Sequence, residues 1–203
     1  RYLIDHVRQL AQSQGMPSKV VTFGTHPRQV VQTSFVPKLL STPEEKLKLL
    51  RETGIDHTMV LNFDLNMAAL TAREFMQRIL KERLNVAQLV IGYDNKFGHN
   101  REESFEDYRR HGQAMGIRVV EAPQFAPDGA HISSSAIRNH LLEGRVKQAN
   151  ALLGYNYSLG GKVVPGFQEG RKMGFPTANL LVENPQKLLP LNGVYATLVE
   201  VEG

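Results

Sequence analysis

The sequence predicts an α/β fold with a doubly wound, mainly parallel sheet, followed by the first part of a smaller β-rich domain. Over the first 153 residues, short β-branched runs typical of buried strands alternate with longer amphipathic stretches typical of helices. Such alternation forms right-handed βαβ units, which place helices on both faces of a parallel sheet. After Gly154 the amphipathic stretches stop and β-rich runs broken by glycines begin, which indicates the start of a β-barrel or sandwich.

The individual elements follow from local signals. Four β-branched runs predict the parallel strands, at residues 19–23, 58–61, 88–91 and 118–120. Two helix starts carry a threonine N-cap with a glutamate at the third helical position: Thr42 with Glu45, and Thr71 with Glu74. In the second of these helices the apolar residues form one stripe, which we expect in the core, at positions 75, 76, 79 and 80.

The composition excludes several classes of protein. The chain has 203 residues, a formal net charge of +4 and no cysteine, which rules out a disulfide scaffold, a catalytic thiolate and a cysteine-ligated zinc site. Basic and acidic residues are interleaved, so we expect no nucleic-acid partner. No apolar stretch approaches the roughly 18–20 residues that span a bilayer, so we expect a cytoplasmic protein with no membrane partner. Because the chain opens with Arg1, we also expect residues upstream of it.

Several common catalytic and phosphate-binding motifs are absent from the sequence. Gly161 and Lys162 are followed by Val163 instead of Ser or Thr, so there is no P-loop. There is also no G-x-G-x-x-G, G-x-S-x-G or H-E-x-x-H motif, and the seven histidines are scattered, which gives no support to a histidine metal site. Ligands of parallel sheets bind beyond the carboxyl ends of the strands, so candidate residues are sought in the segments that follow strands.

Residues 132–138, with the sequence ISSSAIR, open the helix that follows the fourth strand. Ser133, Ser134 and Ser135 place three hydroxyls and free amide groups at a helix N-terminus, which favours a bound anion. Arg138 lies one turn beyond Ser134 on the same face, where its guanidinium could clamp a phosphate. The alternative is an ordinary serine N-cap with Arg138 as a solvated surface charge.

Two further loops follow predicted strands. Glycines at both ends of the loop 92–98 allow a flat ligand to approach the backbone, and Phe97 is available to pack on it. The alternative is a turn in which Asp94 serves the local geometry. The loop 22–27 carries His26, for which a structural hydrogen-bonding role is the alternative to catalysis.

The β-rich part contains a glycine-rich basic segment at residues 166–179. Glycines spaced four apart surround Arg171 and indicate a flexible basic flap. Thr177 and Asn179 are two residues apart in an extended run, so their side-chain oxygens face the same side. A hard cation such as Mg²⁺, carried with nucleotide phosphates, prefers such oxygen ligands. The alternative is a hairpin with solvated charges.

Taken together and in this order, these segments resemble the bacterial bifunctional riboflavin kinase/FMN adenylyltransferases, the prokaryotic FAD synthetases. The resemblance covers essentially the whole chain and is carried by T-F…H-P at 22–27, G-Y-D…F-G at 92–98, ISSSAIR at 132–138, LLGY at 152–155, GRKMGFPTAN at 170–179 and GVYA at 193–196. The serine motif occurs in nucleotidylyltransferases generally, whereas the last two segments are specific to flavokinase barrels. The resemblance implies a Rossmann-like FMN adenylyltransferase domain over residues 1–156 and the N-terminal part of a riboflavin kinase β-barrel over residues 157–203.

The resemblance also implies two transferase activities and the residues that carry them. One domain would transfer AMP from ATP to FMN, giving FAD and pyrophosphate, and the other would phosphorylate riboflavin to FMN, with ATP and Mg²⁺ serving both. The implied nucleotide-binding residues are Ser133, Ser134, Ser135, Arg138, Gly170, Arg171, Gly174, Thr177 and Asn179. Among them, Ser134 and Arg138 would be catalytic, and Thr177 and Asn179 would hold Mg²⁺. The implied flavin-binding residues are Phe23, His26, Pro27, Asp94 and Phe97.

Two parts of the family pattern are expected outside residues 1–203. The G-x-F-D-G-x-H-x-G-H segment, whose histidines meet the triphosphate, is expected before Arg1, and the glutamate that serves the kinase as general base is expected beyond Gly203. Two other functions stay open at this point. One is a nucleotidylyltransferase for another phosphorylated substrate, and the other is a flavin- or nucleotide-binding protein without catalytic activity.

Overall fold

The structure is a computed structural model that describes residues 1–32, 34–92, 95–99, 101–123, 132–166, 169–175 and 177–201. The chain divides into two compact units. Unit 1 consists of Arg1–Pro37 with Pro43–Pro127, and unit 2 consists of Lys38–Thr42 with Asp128–Gly203. The division into a domain over 1–156 and a second domain over 157–203 stays a prediction.

Unit 1 alternates helices and strands along the chain. Its elements are α1 (Tyr2–Ser13), β1 (Lys19–Phe23), α2 (Pro27–Val31), α3 (Pro43–Arg51), β2 (His57–Leu61), α4 (Leu65–Ala69), α5 (Ala72–Glu74), a π-helix (Phe75–Arg83), β3 (Gln88–Ile91), α6 (Phe105–Met115) and β4 (Arg118–Glu121). Strand β1 pairs with β2, and β3 pairs with β4, both in the parallel sense. The predicted strands and their parallel pairing are therefore confirmed, and the joining of the pairs into one doubly wound sheet stays a prediction.

An apolar cluster forms the core of the described part of unit 1. Leu61 and Ile91 enter it from the carboxyl ends of β2 and β3, and Tyr108 enters it from α6. The π-helix contributes Met76, Ile79 and Leu80, and Phe75 packs against the cluster half-buried, so the apolar stripe predicted for that segment faces the core. The carboxyl ends of these strands are thus held against the helices that follow them.

The helical segment after Thr71 begins as predicted but continues in an unpredicted form. The Thr71 hydroxyl accepts a hydrogen bond from the Glu74 amide at 3.2 Å, and the Glu74 carboxylate accepts one from the Thr71 amide at 3.0 Å, which completes the capping box. Beyond Glu74 the helix is a π-helix of nine residues, and the Leu84 amide donates to the Ile79 carbonyl five residues back, at 3.0 Å. The apolar positions 75 and 79, and likewise 76 and 80, are four residues apart, which is close to one turn in both helix types, so the pattern alone could not distinguish them.

Ser18 and Asp56 join the amino ends of β1 and β2. Asp56 Oδ2 accepts hydrogen bonds from the Ser18 amide at 2.7 Å and from the Ser18 hydroxyl at 2.6 Å. The Asp56 amide donates in return to the Ser18 hydroxyl at 3.2 Å. The two bonds from Ser18 lower the pKa of the Asp56 carboxyl below its ordinary value of 3.8.

We expect the Asp56 carboxylate to add stability at neutral pH that is lost in acid. A folded-state pKa below the unfolded one means that the charged form favours folding, so the contribution is fully present above the unfolded pKa near 3.8 and is lost as pH falls through the lower folded pKa. Asp56→Asn keeps an oxygen acceptor for Ser18 but does not titrate. Urea unfolding of both proteins between about pH 7 and pH 2 should show a steeper loss below about pH 4 in the wild type, and equal pH profiles would contradict the assignment.

The described part of unit 2 contains two helices, an antiparallel pair of short strands and a helical turn. Its elements are α7 (Ser134–Leu142), α8 (Val146–Leu153), β5 (Lys162–Val164), α9 (Glu169–Lys172) and β6 (Asn179–Leu181). Strands β5 and β6 are antiparallel, with Val164 opposite Asn179. The single turn α9 lies in a segment for which no helix was predicted, and the β-barrel stays a prediction. A second apolar cluster packs α7 and α8 against Leu188.

Within the described ranges, no helix combines the length and the hydropathy that a membrane span requires.

Candidate functional site

The serine motif begins helix α7, as the sequence predicts. Ser133 is its N-cap, and the Ser133 hydroxyl accepts a hydrogen bond from the Ala136 amide at 3.2 Å. Ser134 and Ser135, in the first turn, are exposed. Ile137 is buried in the apolar cluster, so α7 keeps its apolar face inside and its hydroxyls outside. One serine therefore serves the helix itself, and the other two present hydroxyls at its N-terminus.

The Arg138 guanidinium is held in place by main-chain structure. Arg138 is half-buried, and its Nε donates a hydrogen bond to the Lys38 carbonyl at 2.8 Å. That bond uses Nε, so it orients the edge of the guanidinium that carries the two terminal nitrogens. These two nitrogens are the pair that can contact a phosphate bidentately.

The loop after β1 combines capping with aromatic packing. His26 is the N-cap of α2, where its Nδ1 accepts a hydrogen bond from the Arg28 amide at 3.2 Å, and Pro27 is the first helical residue. The Phe23 ring meets the Phe63 ring edge to face, with centroids 4.9 Å apart. His26 thus has the structural role that the sequence left open as an alternative, and its contact with a flavin stays a prediction, as do those of Phe23 and Pro27.

Lys46 is a residue near this loop that the sequence did not single out. Its ammonium donates a hydrogen bond to the Phe23 carbonyl at 2.7 Å, and burial lowers the pKa of that ammonium. A lysine in the middle of the amphipathic helix α3 has the pattern of an ordinary solvated charge. Only the folded chain brings this lysine to the carboxyl end of β1.

The Phe97 ring is packed against two other aromatic rings. It stacks on Tyr108 with centroids 4.5 Å apart and an interplanar angle of 12°, and it lies 5.5 Å from the Phe75 ring. The Tyr108 hydroxyl accepts a hydrogen bond from the Phe97 amide and donates one to the Phe97 carbonyl, each at 3.2 Å. The next residue, Gly98, lies so close to Ala72 that a side chain would not fit: an added Cβ would be 2.6 Å from the Ala72 amide nitrogen. Phe97 and Gly98 are therefore held in place, and Tyr108 occupies one face of the predicted flavin-binding ring.

We expect Tyr108→Phe to lower the free energy of unfolding by about 1–2 kcal/mol, because the Phe97 amide and carbonyl lose their buried partner while the aromatic stack is kept. Urea unfolding monitored by circular dichroism measures this loss. Tyr108→Leu also removes the stacked ring and should cost more. A Tyr108→Phe protein as stable as the wild type would show that the hydroxyl does not hold the loop.

The glycine-rich segment of unit 2 folds back on itself at Gly170. The Gly170 carbonyl accepts hydrogen bonds from the Met173 amide at 3.2 Å and from the Phe175 amide at 2.7 Å. Gly174 has φ of +83°, a conformation that favours glycine, and so allows the turn between them. A Cβ at Gly170 would lie 3.4 Å from the Thr177 hydroxyl oxygen, so the turn packs against that side chain.

The two predicted Mg²⁺ ligands are both exposed. Thr177 lies beside Gly170. The Asn179 side-chain amide lies against Gly166, where an added Cβ would collide with it. No group of three or more His, Asp or Glu side chains in the described ranges is arranged to hold a metal. The two candidate donors themselves, a hydroxyl and an amide, are neutral oxygens. The whole of Asp94 and the side chain of Arg171 lie outside the described residues.

The predicted site residues fall into two groups. Unit 1 contains the described flavin-binding candidates, and unit 2 contains the serine motif, Arg138 and the glycine-rich turn. Within unit 2 the structure brings Gly170 and Thr177 into contact range. The assigned role of each residue stays a prediction.

Comparison with known proteins identifies two families along the chain. The family model described as FAD synthetase matches residues 1–136, and the model described as riboflavin kinase matches residues 153–203. The bifunctional riboflavin kinase/FMN adenylyltransferase of Escherichia coli K12 is 34% identical over 203 residues, which are 100% of this chain and 64% of that protein. The protein of the same name from Listeria monocytogenes is 33% identical, over 99% of this chain and 63% of its own length.

A solved structure shares the fold. The crystal structure of a protein named macrolide-efflux protein, from Streptococcus pneumoniae, matches with a TM-score of 0.81 and 31% identity, over 95% of this chain and 62% of that one. The chain therefore spans a little under two thirds of the length of these relatives. Since the FAD synthetase model covers well over half of the chain and the riboflavin kinase model follows it in the predicted order, the resemblance is confirmed and the chain belongs to the FAD synthetase family.

Proposed function

We propose that the full-length protein makes FAD in two steps. It phosphorylates riboflavin with ATP to give FMN, and it transfers AMP from a second ATP to FMN, which gives FAD and pyrophosphate. The observation that carries this proposal is the succession of an FAD synthetase region and a riboflavin kinase region on one chain. The names of the relatives from Escherichia coli and Listeria monocytogenes support it.

In the adenylylation step, a phosphate oxygen of FMN attacks the α-phosphorus of ATP. The bond between the α- and β-phosphates breaks, and negative charge grows on the departing pyrophosphate. Arg138 and the amide groups at the start of α7 are suited to stabilise that charge, because they are held before the reaction begins. Ser133, Ser134 and Ser135 would hold the phosphates in line, and Phe23, His26, Pro27, Asp94 and Phe97 would border the flavin and adenine rings.

In the phosphorylation step, a riboflavin hydroxyl attacks the γ-phosphorus of ATP, ADP leaves, and the hydroxyl proton passes to a general base. The turn at Gly170, Arg171 and Gly174 would lie over the ATP phosphates. Thr177 and Asn179 fit Mg²⁺ in donor type, since both offer exposed side-chain oxygens and phosphate oxygens can complete the coordination. When bound, Mg²⁺ neutralises phosphate charge.

The substrates also bear on where the protein works. ATP and flavins are small molecules of the cell interior, and a chain without cysteine is compatible with any redox compartment. We therefore place the reaction in the cytoplasm, with small-molecule substrates as the partners that the proposal requires.

Chromatography of flavin products tests the proposal. The full-length protein is incubated with Mg²⁺ and ATP, together with riboflavin in one reaction and FMN in another. We expect FMN followed by FAD from riboflavin, and FAD from FMN. Failure to form either product by a chain of verified mass would overturn the proposal and favour a binding protein or an enzyme for another phosphorylated substrate.

A further inference from the structure

A short segment of the chain, Lys38–Thr42, belongs to unit 2 although the residues on both sides of it belong to unit 1. We call this segment the strap. It lies within the region matched by the FAD synthetase model. Its partners come from helix α7 and from the segment 186–188, which lies in the region matched by the riboflavin kinase model.

Main-chain hydrogen bonds join the strap to the segment 186–188. The Leu39 amide donates to the Gln186 carbonyl at 2.7 Å, and the Leu188 amide donates to the Leu39 carbonyl at 2.9 Å. Leu39 and Lys187 thereby form a parallel β-bridge. Leu40 packs on the apolar cluster that contains Leu188. The strap is thus tied to this segment by both its backbone and its side chains.

Lys187 adds a buried charge to this attachment. It is only 5% exposed, and its ammonium donates a hydrogen bond to the Leu40 carbonyl at 2.9 Å. The same ammonium lies 4.4 Å from the centre of the Tyr157 ring, and the Tyr157 hydroxyl donates to the Leu188 carbonyl at 2.6 Å. Burying an ammonium is costly unless it is well paired, so the carbonyl and the ring hold Lys187, and Lys187 in turn holds the strap.

Arg138 is hydrogen-bonded to the first residue of the strap. The Lys38 carbonyl, two residues before the Leu40 carbonyl that Lys187 contacts, accepts the hydrogen bond from Arg138 Nε. A strap that shifts would therefore move the acceptor that orients the guanidinium. Catalysis by a positioned group is sensitive to such shifts, since a displacement of about 1 Å can cost about 10²-fold in rate.

We propose that Lys187 is a positioning residue for FAD formation, which acts by fixing the strap whose Lys38 carbonyl aims Arg138 at the phosphates of ATP. The inference rests on the proposed function and on the role of Arg138 in it. It gives a residue of the riboflavin kinase region a part in the adenylylation reaction.

A double-mutant cycle tests this inference in the full-length protein. Lys187→Met keeps the length of the side chain and removes the ammonium, and Arg138→Ala removes the group that Lys187 is proposed to position. We expect Lys187→Met to lower kcat/KM for FAD formation from FMN about tenfold in the wild type, and to change it less than about twofold in the Arg138→Ala background. Residues that act through a common group show such non-additivity, whereas a general loss of structure does not.

Arg145→Ala serves as the matched control for Arg138→Ala. Arg145 is another unit 2 arginine, lies just after α7, is half-exposed and pairs with Glu143. In an Arg145→Ala background, Lys187→Met should keep its full tenfold effect. If Lys187→Met fails to fold, as judged by circular dichroism, Lys187→Gln takes its place in the cycle with the same expected losses, because it removes the charge and its shorter side chain withdraws the donor from the Leu40 carbonyl.

The outcomes separate the two levels of the proposal. A wild-type protein that forms no FAD would overturn the proposed function and this inference with it. If the wild-type protein forms FAD, two results would overturn the inference alone. One is that Lys187→Met causes the same loss with and without the Arg138→Ala substitution, and the other is that it causes no loss in either background.

Discussion

Arg138→Ala in the full-length protein is expected to lower kcat/KM for FAD formation from FMN by about 10²–10³-fold, the usual effect of removing one positioned group that stabilises developing negative charge. The guanidinium is held by its bond to the Lys38 carbonyl, so little of its stabilising effect is lost to reorganisation during the reaction. Riboflavin phosphorylation should change less than about twofold. Steady-state assays with FMN and with riboflavin as separate substrates measure the two effects.

A control variant and the second reaction test whether this loss is specific to Arg138 and to FAD formation. Arg145→Ala removes the same charge from an exposed position of unit 2, so it should leave FAD formation nearly unchanged. If Arg138→Ala reduced both reactions equally, the assignment of the two reactions to separate groups of residues would be wrong. Unchanged FAD formation in Arg138→Ala would remove Arg138 from the site.

Gly170→Ala is expected to lower kcat/KM for riboflavin phosphorylation about 10²-fold and to leave FAD formation from FMN largely intact. The added Cβ would collide with the Phe175 carbonyl oxygen and would lie 3.2 Å from Thr177 Cγ2, so the turn must open. Opening the turn displaces Thr177, a proposed ligand of Mg²⁺, and a displacement of about 1 Å is enough for a loss of this size.

Gly160→Ala is the matched control for this substitution. Gly160 also lies in the β-rich region, but among the described residues no heavy atom outside Gly160 and its two chain neighbours lies within 4 Å of an added Cβ. We expect this variant to keep riboflavin phosphorylation within about twofold of the wild type. If Gly170→Ala were equally active, the turn at Gly170 would not be part of the kinase site.

Local sequence signals predicted most of the elements that position the candidate site. The four predicted strands of unit 1 match β1 to β4 within one residue at either end. The Thr71 capping box and the start of α7 after Ser133 also match, because caps depend on side chains and amide groups only three residues apart. Strands and helix caps can therefore be predicted from consecutive residues.

Contacts between residues that are far apart in the sequence could not be predicted from local signals. Tyr108 holds Phe97 from eleven positions further along the chain, and Lys187 reaches the Leu40 carbonyl across 147 positions. The sequence offered Phe97 as a flavin-packing ring and Arg138 as a phosphate clamp or a solvated charge. No local sequence pattern predicts that Phe97 stacks on Tyr108 or that the Lys38 carbonyl orients Arg138. Each of these contacts arises because separate elements pack together.

The resemblance to the family, and the order of its two regions along the chain, rested on short contiguous motifs that are visible in the sequence by itself. The orientation of Arg138, by contrast, is decided by tertiary contacts. It depends on a strap from one part of the chain that pairs with residues 186–188 and is held there by a buried lysine. Folding alone brings these groups together, since the burial that makes such pairing favourable does not exist in the extended chain.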